Sequence, residues 1–346
     1  MRKYFCYIML LWFIASCDKE KTTNLPTGTG VYVVNEGLFN FGNAEVSFYN
    51  PTSNDVTHNL FDAANGYSLG DVGQSMFIKD TTGFIVVNNS AKVEVVKVPS
   101  LKRISTISIP GSSPRNFLPV NDSIAYVSEL YAKKIWVVNY LKGTVVNSIA
   151  TQGWIEDMVQ IGDAVFAGQK VNTLLTGTFA AVYKINVNSH SVAQQATFEG
   201  RDVNGVVKDK LNRIWVAVDE DTASGKYAGF YCLDNNLSVV KSFFYTSYGH
   251  HPSRLCINGE GDRLFFVERN IYSMYISETE VPVVSLVSGL DKNIYAMGVN
   301  PVSDDIYISD ALDFVQQSKI YRYDKFGNPI HSFTAGVISG NFAFYE

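Results

Sequence analysis

Three arginines, Arg115, Arg201 and Arg254, and four acidic residues, Asp71, Glu156, Asp157 and Asp202, stand in polar segments between apolar runs. A guanidinium offers a rigid fork of donors that suits carboxylate, phosphate or amide oxygens. Each arginine therefore reads either as a ligand contact or as an ion pair between neighbouring elements. Carboxylates gathered at one mouth would do acid–base work or hold a cation, and scattered ones are ordinary solvated surface. The one adjacent histidine pair, His250-His251, precedes Pro252. Successive side chains of an extended chain point apart, so the pair reads as a polar turn and not as a metal site. The phosphate-cradling Gly-x-x-x-x-Gly-Lys-Ser/Thr and His-Glu-x-x-His are missing, which removes the nucleotide cradle and the helical zinc site. Gly66-Tyr67-Ser68-Leu69-Gly70 matches Gly-x-Ser-x-Gly, but in a polar loop segment and not on the strand-to-helix turn that a nucleophile elbow needs.

The same polar segments are rich in aromatic and amide side chains: Phe39, Asn40 and Phe41, Tyr67, Tyr131, Trp154, Asn204, Tyr227, His251, Asn293, Tyr295 and Phe314. Such a mixture stacks on flat surfaces and hydrogen-bonds amides. The alternative for each aromatic is packing between adjacent loops. Trp154 and Tyr131 are harder to assign to a core than Trp136 and Trp215, which lie inside strand-like runs.

Something must hold these segments together, and a repeat supplies it. A short apolar run, a turn and a second run recur from positions 74, 115, 156, 204, 253 and 294, spaced by 41, 41, 48, 49 and 41 residues. Third and fourth strands follow, as in Ile135–Asn139 and Val145–Ile149. Four short strands per roughly 40–45 residues is the pattern of a propeller blade. No window sustains the helical spacing i, i+3, i+4, i+7, and a β-helix repeat is about half as long. Val31–Asn35 reads as a second strand lacking a first, and Asn341–Tyr345 as a first strand lacking a second. Joining them predicts an all-β, seven-bladed β-propeller over residues 30–346, closed by pairing the C-terminal strand with the N-terminal blade, with six or eight blades as alternatives. On this reading the polar segments share one face, as loops on a rigid frame. Cys232 and Cys256 fall on strands of different blades, too far apart for a disulfide, and are expected buried and free.

Composition agrees. Of 346 residues, 46% are apolar, 18% are charged and 46 are aromatic, with 26 glycines, which suits a large β core with many turns. A net charge of −5 without a basic run argues against nucleic acid.

The N-terminus reads as an address. Arg2 and Lys3 precede the apolar stretch Tyr4–Ile14, and Ile14-Ala15-Ser16-Cys17 resembles the lipobox of bacterial lipoproteins. Residues 1–16 are then a signal peptide, Cys17 the lipidated residue, and 17–29 a polar tether, with an ordinary signal peptide as the alternative. Processing leaves 26 basic against 33 acidic residues, a net charge of −7, and a chain anchored to a membrane without spanning it. Asp18 directly after Cys17 resembles an inner-membrane retention signal, whereas an acidic cluster there resembles a surface-export signal.

Several stretches carry a family resemblance: Val33–Gly37 with Gly42-Asn43-Ala44, Leu69–Met76, Val86–Val96, Pro114–Val120 and Ala125–Ala132. They resemble the YncE-like, DUF5074-type surface lipoproteins of the Bacteroidota, among them the BtuG-type cobalamin-binding propellers. The resemblance implies a non-enzymatic protein, lipid-anchored on the outer cell surface. Such a protein binds cobalamin or a related corrinoid as ligand, not cofactor, and delivers it to a TonB-dependent outer-membrane transporter. It also favours surface export over retention. It carries no residue-by-residue motif, so the candidate site rests on loop position: Phe39, Phe41, Tyr67, Asp71, Arg115, Tyr131, Trp154, Glu156, Arg201, Asn204, Tyr227, His251, Arg254, Asn293 and Tyr295. The alternatives are a propeller lactonase or hydrolase with a channel-bound divalent cation, and a passive scaffold or glycan-adhesion module.

Overall fold

Each second strand is built around an apolar run, as in Thr82–Val87, Arg263–Glu268 and Ile306–Asp310, and these strands are almost wholly buried. Burial on both faces explains the lack of alternation, because every sheet is sandwiched between two others. Outer strands such as Lys102–Ser108 and Ser191–Thr197 are mostly exposed and correspondingly polar. The computed structural model describes residues 26–346; the signal segment, Cys17 and the tether up to residue 25 lie outside the described residues.

Seven antiparallel sheets form a seven-bladed β-propeller. The innermost strands are Ser339–Tyr345, Gly73–Lys79, Pro114–Pro119, Trp154–Ile161, Val203–Lys208, Ser253–Ile257 and Ile294–Val299, for blades 1 to 7 in that order. The expected closure holds: Val31 pairs with Phe344 and Val33 with Phe342, so blade 1 takes its inner strand from the C-terminal end. Seven buried apolar clusters fill the seven seams between blades, one cluster to a seam. Trp215 is fully buried in the seam between blades 5 and 6, and its indole N–H is satisfied by Asp209 Oδ2 at 2.9 Å. Truncating such a residue to alanine costs about 3–5 kcal/mol.

Three expectations need correction. Blade 6 has three strands, not four: Ser253–Ile257, Arg263–Glu268 and Asn270–Tyr275. The chain that follows carries Glu278, Glu280 and Pro282 and forms no ladder with this sheet, meeting it at the isolated bridge Ile271–Val287 and a few single hydrogen bonds such as Leu286 N to Ile271 O. Proline has no N–H for a ladder, which disfavours a fourth strand there. A short helix, Leu60–Asn65, is inserted before blade 2, with Gly66 ending it at φ 76°. Six residues are too few for helical periodicity to register in a sequence, and Leu60 and Phe61 enter the core of the seam between blades 1 and 2. Cys232 is buried and both thiols are free, but Cys256 is only half-buried, because its strand faces the central channel.

Candidate functional site

A defect repeated in every blade builds the site. Strand pairing skips Gln74 in blade 2, Arg115 and Asn116 in blade 3, and Glu156 and Asp157 in blade 4. It likewise skips Asn204, then Arg254 and Leu255, then Tyr295 in blades 5 to 7. Such a bulge leaves one or two residues out of the ladder and re-aims their side chains. All six leading residues line one cavity of about 510 Å³ at the loop end of the channel. In blade 1 the skipped residue is Gly340, which has no side chain to offer. Glu36 fills that place: a Cβ on Gly340 would stand 2.9 Å from Glu36 Oε1. The throat is thus ringed by Gln74, Arg115, Glu156, Asn204, Arg254, Tyr295 and Glu36, every one polar.

The ring has a closed half and an open half. Arg115 Nε and Nη2 donate to Glu156 Oε2 and Oε1 at 2.9 and 3.1 Å, and Nη1 donates to Gln74 Oε1. Trp154 Nε1 donates to Glu156 Oε2, and the Arg115 guanidinium lies 5.2 Å from the Trp154 ring centre. Burial alone would push the Glu156 carboxyl up, but the charge and hydrogen bonds of Arg115 outweigh it and hold the carboxyl below its usual range. Across the channel, Arg254 is exposed and rests 5.3 Å over the Tyr295 ring, with no ion pair among the described residues. Lys170, at the end of the second strand of blade 4, lies 5.1 Å from the Trp154 ring centre and also makes no ion pair among the described residues.

Two carboxyls in the throat are pushed the other way. Burial, then the neighbouring Glu156 charge, raises Asp157 to about 6, against Lys170 and the Val206 N–H that it accepts at 3.2 Å. Burial also raises Glu36, which accepts a hydrogen bond from Tyr295 Oη at 2.9 Å. Burial, with Asp157 adding, pushes the Cys256 thiol up to about 12, which leaves it a poor nucleophile at neutral pH. No three His, Cys, Asp or Glu side chains converge as a metal site among the described residues.

Above the throat stands a rim. Phe39 and Phe41 are 64% and 72% exposed, and Tyr67, Tyr131, Tyr248 and Phe314 are exposed as well. Phe314 meets the Tyr295 ring edge-on at 5.8 Å, joining rim to throat. A second cavity of about 270 Å³ is lined by Leu130, Tyr131, Trp154, Val171 and Leu174, so Trp154 is the wall between it and the throat.

Of the fifteen residues chosen from loop position, the cavity gathers Arg115, Trp154, Glu156, Asn204, Arg254 and Tyr295. These six lie on inner strands and not on loops, which corrects the sequence reading. Phe39, Phe41, Tyr67 and Tyr131 stand at the rim. Asp71 is a clasp, accepting from Asn40 N at 2.9 Å and from Asn89 Nδ2. Arg201 is buried away from the throat, donating to Tyr227 O at 2.8 Å and Tyr231 Oη at 3.2 Å over the Phe244 ring. Tyr227 packs on Tyr248 at 4.6 Å, and His251 Nδ1 sits 2.7 Å from Asp219 Oδ1. Asn293 donates to Leu312 O and so ties its own loop down. Glu36, Gln74, Asn116, Lys170, Cys256 and Asn341 were missed. The available signal was a polar residue at the same place in six of the seven first strands, where apolar alternation breaks.

A family described as a domain of unknown function, DUF5074, matches residues 29–336. No curated protein is significantly similar in sequence. Among solved structures, a quinonprotein alcohol dehydrogenase-like protein of Bacteroides thetaiotaomicron is 13% identical, with a TM-score of 0.70 over 91% of this chain and 78% of that one. A candidate 6-phosphogluconolactonase of Bacteroides fragilis is 12% identical, with 0.64 over 94% and 99%. Virginiamycin B lyase of Staphylococcus aureus is 11% identical, with 0.61 over 79% and 91%. At these identities the likeness is one of fold.

Proposed function

Since the chain belongs to the DUF5074 family, whose description assigns no activity, we propose a function from the throat and its rim: non-covalent capture of a corrinoid. The observation that carries this reading is the open half of the ring. Arg254 in that half, with Lys170 of blade 4 across from it, lines a polar cavity and makes no ion pair among the described residues, beneath a rim of exposed aromatic rings. A corrin is broad, flat and fringed with amides, and is too large for a 510 Å³ cavity. Its ring suits the rim, and the phosphodiester of its nucleotide tail suits the two free cations below. Lipidation at Cys17, display on the outer surface and transfer to a TonB-dependent transporter complete the proposal.

Titration calorimetry with cyanocobalamin and with cobinamide, which lacks the nucleotide and its phosphate, tests it. Saturable binding of cyanocobalamin, weakened in cobinamide, is expected; no heat from either at high micromolar ligand overturns it. Replacing Cys17 by alanine releases the protein from membranes, and unchanged partitioning would contradict the anchor.

One observation favours a second reading. Asp157, with a pKa of about 6 beside Arg254 and Lys170, is placed like a general base. An enzyme of the lyase or lactonase kind, as the names of two structural neighbours suggest, would lose turnover in Asp157→Asn while keeping ligand affinity.

A further inference from the structure

The incomplete sheet of blade 6 leaves a space beside the outer strand of blade 5. This cavity, about 570 Å³, is separate from the throat. Phe243, Phe244, Tyr245 and Tyr272 form its aromatic walls, His250 and Glu268 lie at its base, and the chain from Thr279 to Val283 crosses it. Two side-chain atoms there are buried without any hydrogen-bond partner, Tyr245 Oη and His250 Nδ1. The His250 ring stacks on Tyr245 with centres 4.0 Å apart, and its Nε2 meets Ser247 Oγ at 3.2 Å. Glu268 Oε1 lies 3.5 Å from His250 Nδ1, out of line for a hydrogen bond. The Glu268 side chain is 8% exposed, and its other ionic neighbour is Arg269 Nε at 3.9 Å.

Buried polar atoms in native proteins are nearly always satisfied, so two orphans at one cavity point to something that binds there. A phenol oxygen and a carboxylate accept hydrogen bonds, and His250 Nδ1 does so in the neutral tautomer that carries its proton on Nε2 toward Ser247. A primary ammonium carries three N–H donors and no acceptor, which matches three acceptors. Aromatic faces attract such a cation electrostatically. The wall also includes Glu280 and no lysine or arginine, which disfavours an anion. We infer that the seam between blades 5 and 6 is a binding site for the primary ammonium end of an organic amine, independent of whatever occupies the throat.

Calorimetric titration of the purified full chain with n-butylammonium tests this, with n-butanol and tetramethylammonium as probes that lack the charge or the N–H donors. Saturable binding of one butylammonium per chain is expected, with both control probes roughly tenfold weaker or worse. Glu268→Gln is expected to weaken butylammonium by a similar factor, while Arg254→Ala in the throat leaves it unchanged. Tyr245→Phe removes a single unpaired oxygen, keeps the ring and its stacking, and is expected to weaken binding several-fold should Glu268→Gln fail to fold. Equal binding of all three probes, no binding of butylammonium, or full affinity in Tyr245→Phe would overturn the inference.

Discussion

Arg115 and Arg254 occupy the same place in two blades, each at a bulge in an inner strand, yet they live in different circumstances. The Arg115 side chain is 17% exposed and spends its donors on Glu156 and Gln74. Arg254 is exposed and rests on the Tyr295 ring, near enough to Glu36 and Asp157 to favour their charged forms but in no ion pair among the described residues. One fold position therefore does two jobs. On the side of blades 2 to 4 it staples neighbouring inner strands across their seams. On the side of blades 5 to 7 it leaves charge free above a cavity. A paired buried charge is costly to strip of its partner, whereas an unpaired exposed one is cheap to remove from the folded state and expensive only to whatever binds it.

The largest effect should come from breaking the closed half. Glu156→Ala leaves Arg115 uncompensated and frees Trp154 Nε1, and is expected to lower the unfolding free energy by about 3 kcal/mol in denaturant titrations. Arg254→Ala, at the equivalent place, is expected to change that quantity by less than about 0.5 kcal/mol. Comparable losses in the two variants would erase the distinction between the halves.

The next effect concerns Asp157 and has a definite sign. Its folded pKa of about 6 lies above the ordinary 3.8, so the fold prefers the protonated form. The stability this gives is complete below about pH 4 and is lost as the pH rises through about 6. Asp157→Asn keeps an acceptor for the Val206 N–H and cannot ionise. It is expected to be more stable than the parent by about 2–3 kcal/mol at pH 7, with the difference vanishing below about pH 4. An advantage that persists at pH 4, or none at pH 7, would show that the throat does not burden this carboxyl.

The smallest effect belongs to the rim. Tyr131→Ala removes an exposed ring that lines the cavity shared with Trp154. Unfolding should not change measurably, and cyanocobalamin affinity should fall by about 1 kcal/mol, roughly fivefold.

The architecture was legible because its causes are periodic. Apolar second strands recur at nearly constant spacing, and the unmatched strands Val31–Asn35 and Asn341–Tyr345 complete each other. The throat was legible in type but not in place. Arg115, Glu156, Arg254 and Tyr295 stood out by chemistry, yet they were assigned to loops because a bulge is a matter of strand pairing and leaves no fixed mark on composition. Glu36 could not be found at all from its own neighbourhood, since its position depends on Gly340, three hundred residues away in sequence and adjacent in space. Arg201 shows the converse. Its type suggested a ligand contact, and only its bonds to Tyr227 and Tyr231 reveal a buried clamp. Blade 6 breaks the repeat through Glu278, Glu280 and Pro282, which a count of spacings passes over.

The measurement that bears most directly on the open half as the ligand site is cyanocobalamin affinity in Arg254→Ala set against the parent, with unfolding followed on the same samples. The account predicts a loss of about 2 kcal/mol, roughly thirtyfold in Kd, at an unchanged unfolding midpoint. Equal affinity in the two proteins, or a loss matched by a fall in stability, would contradict it.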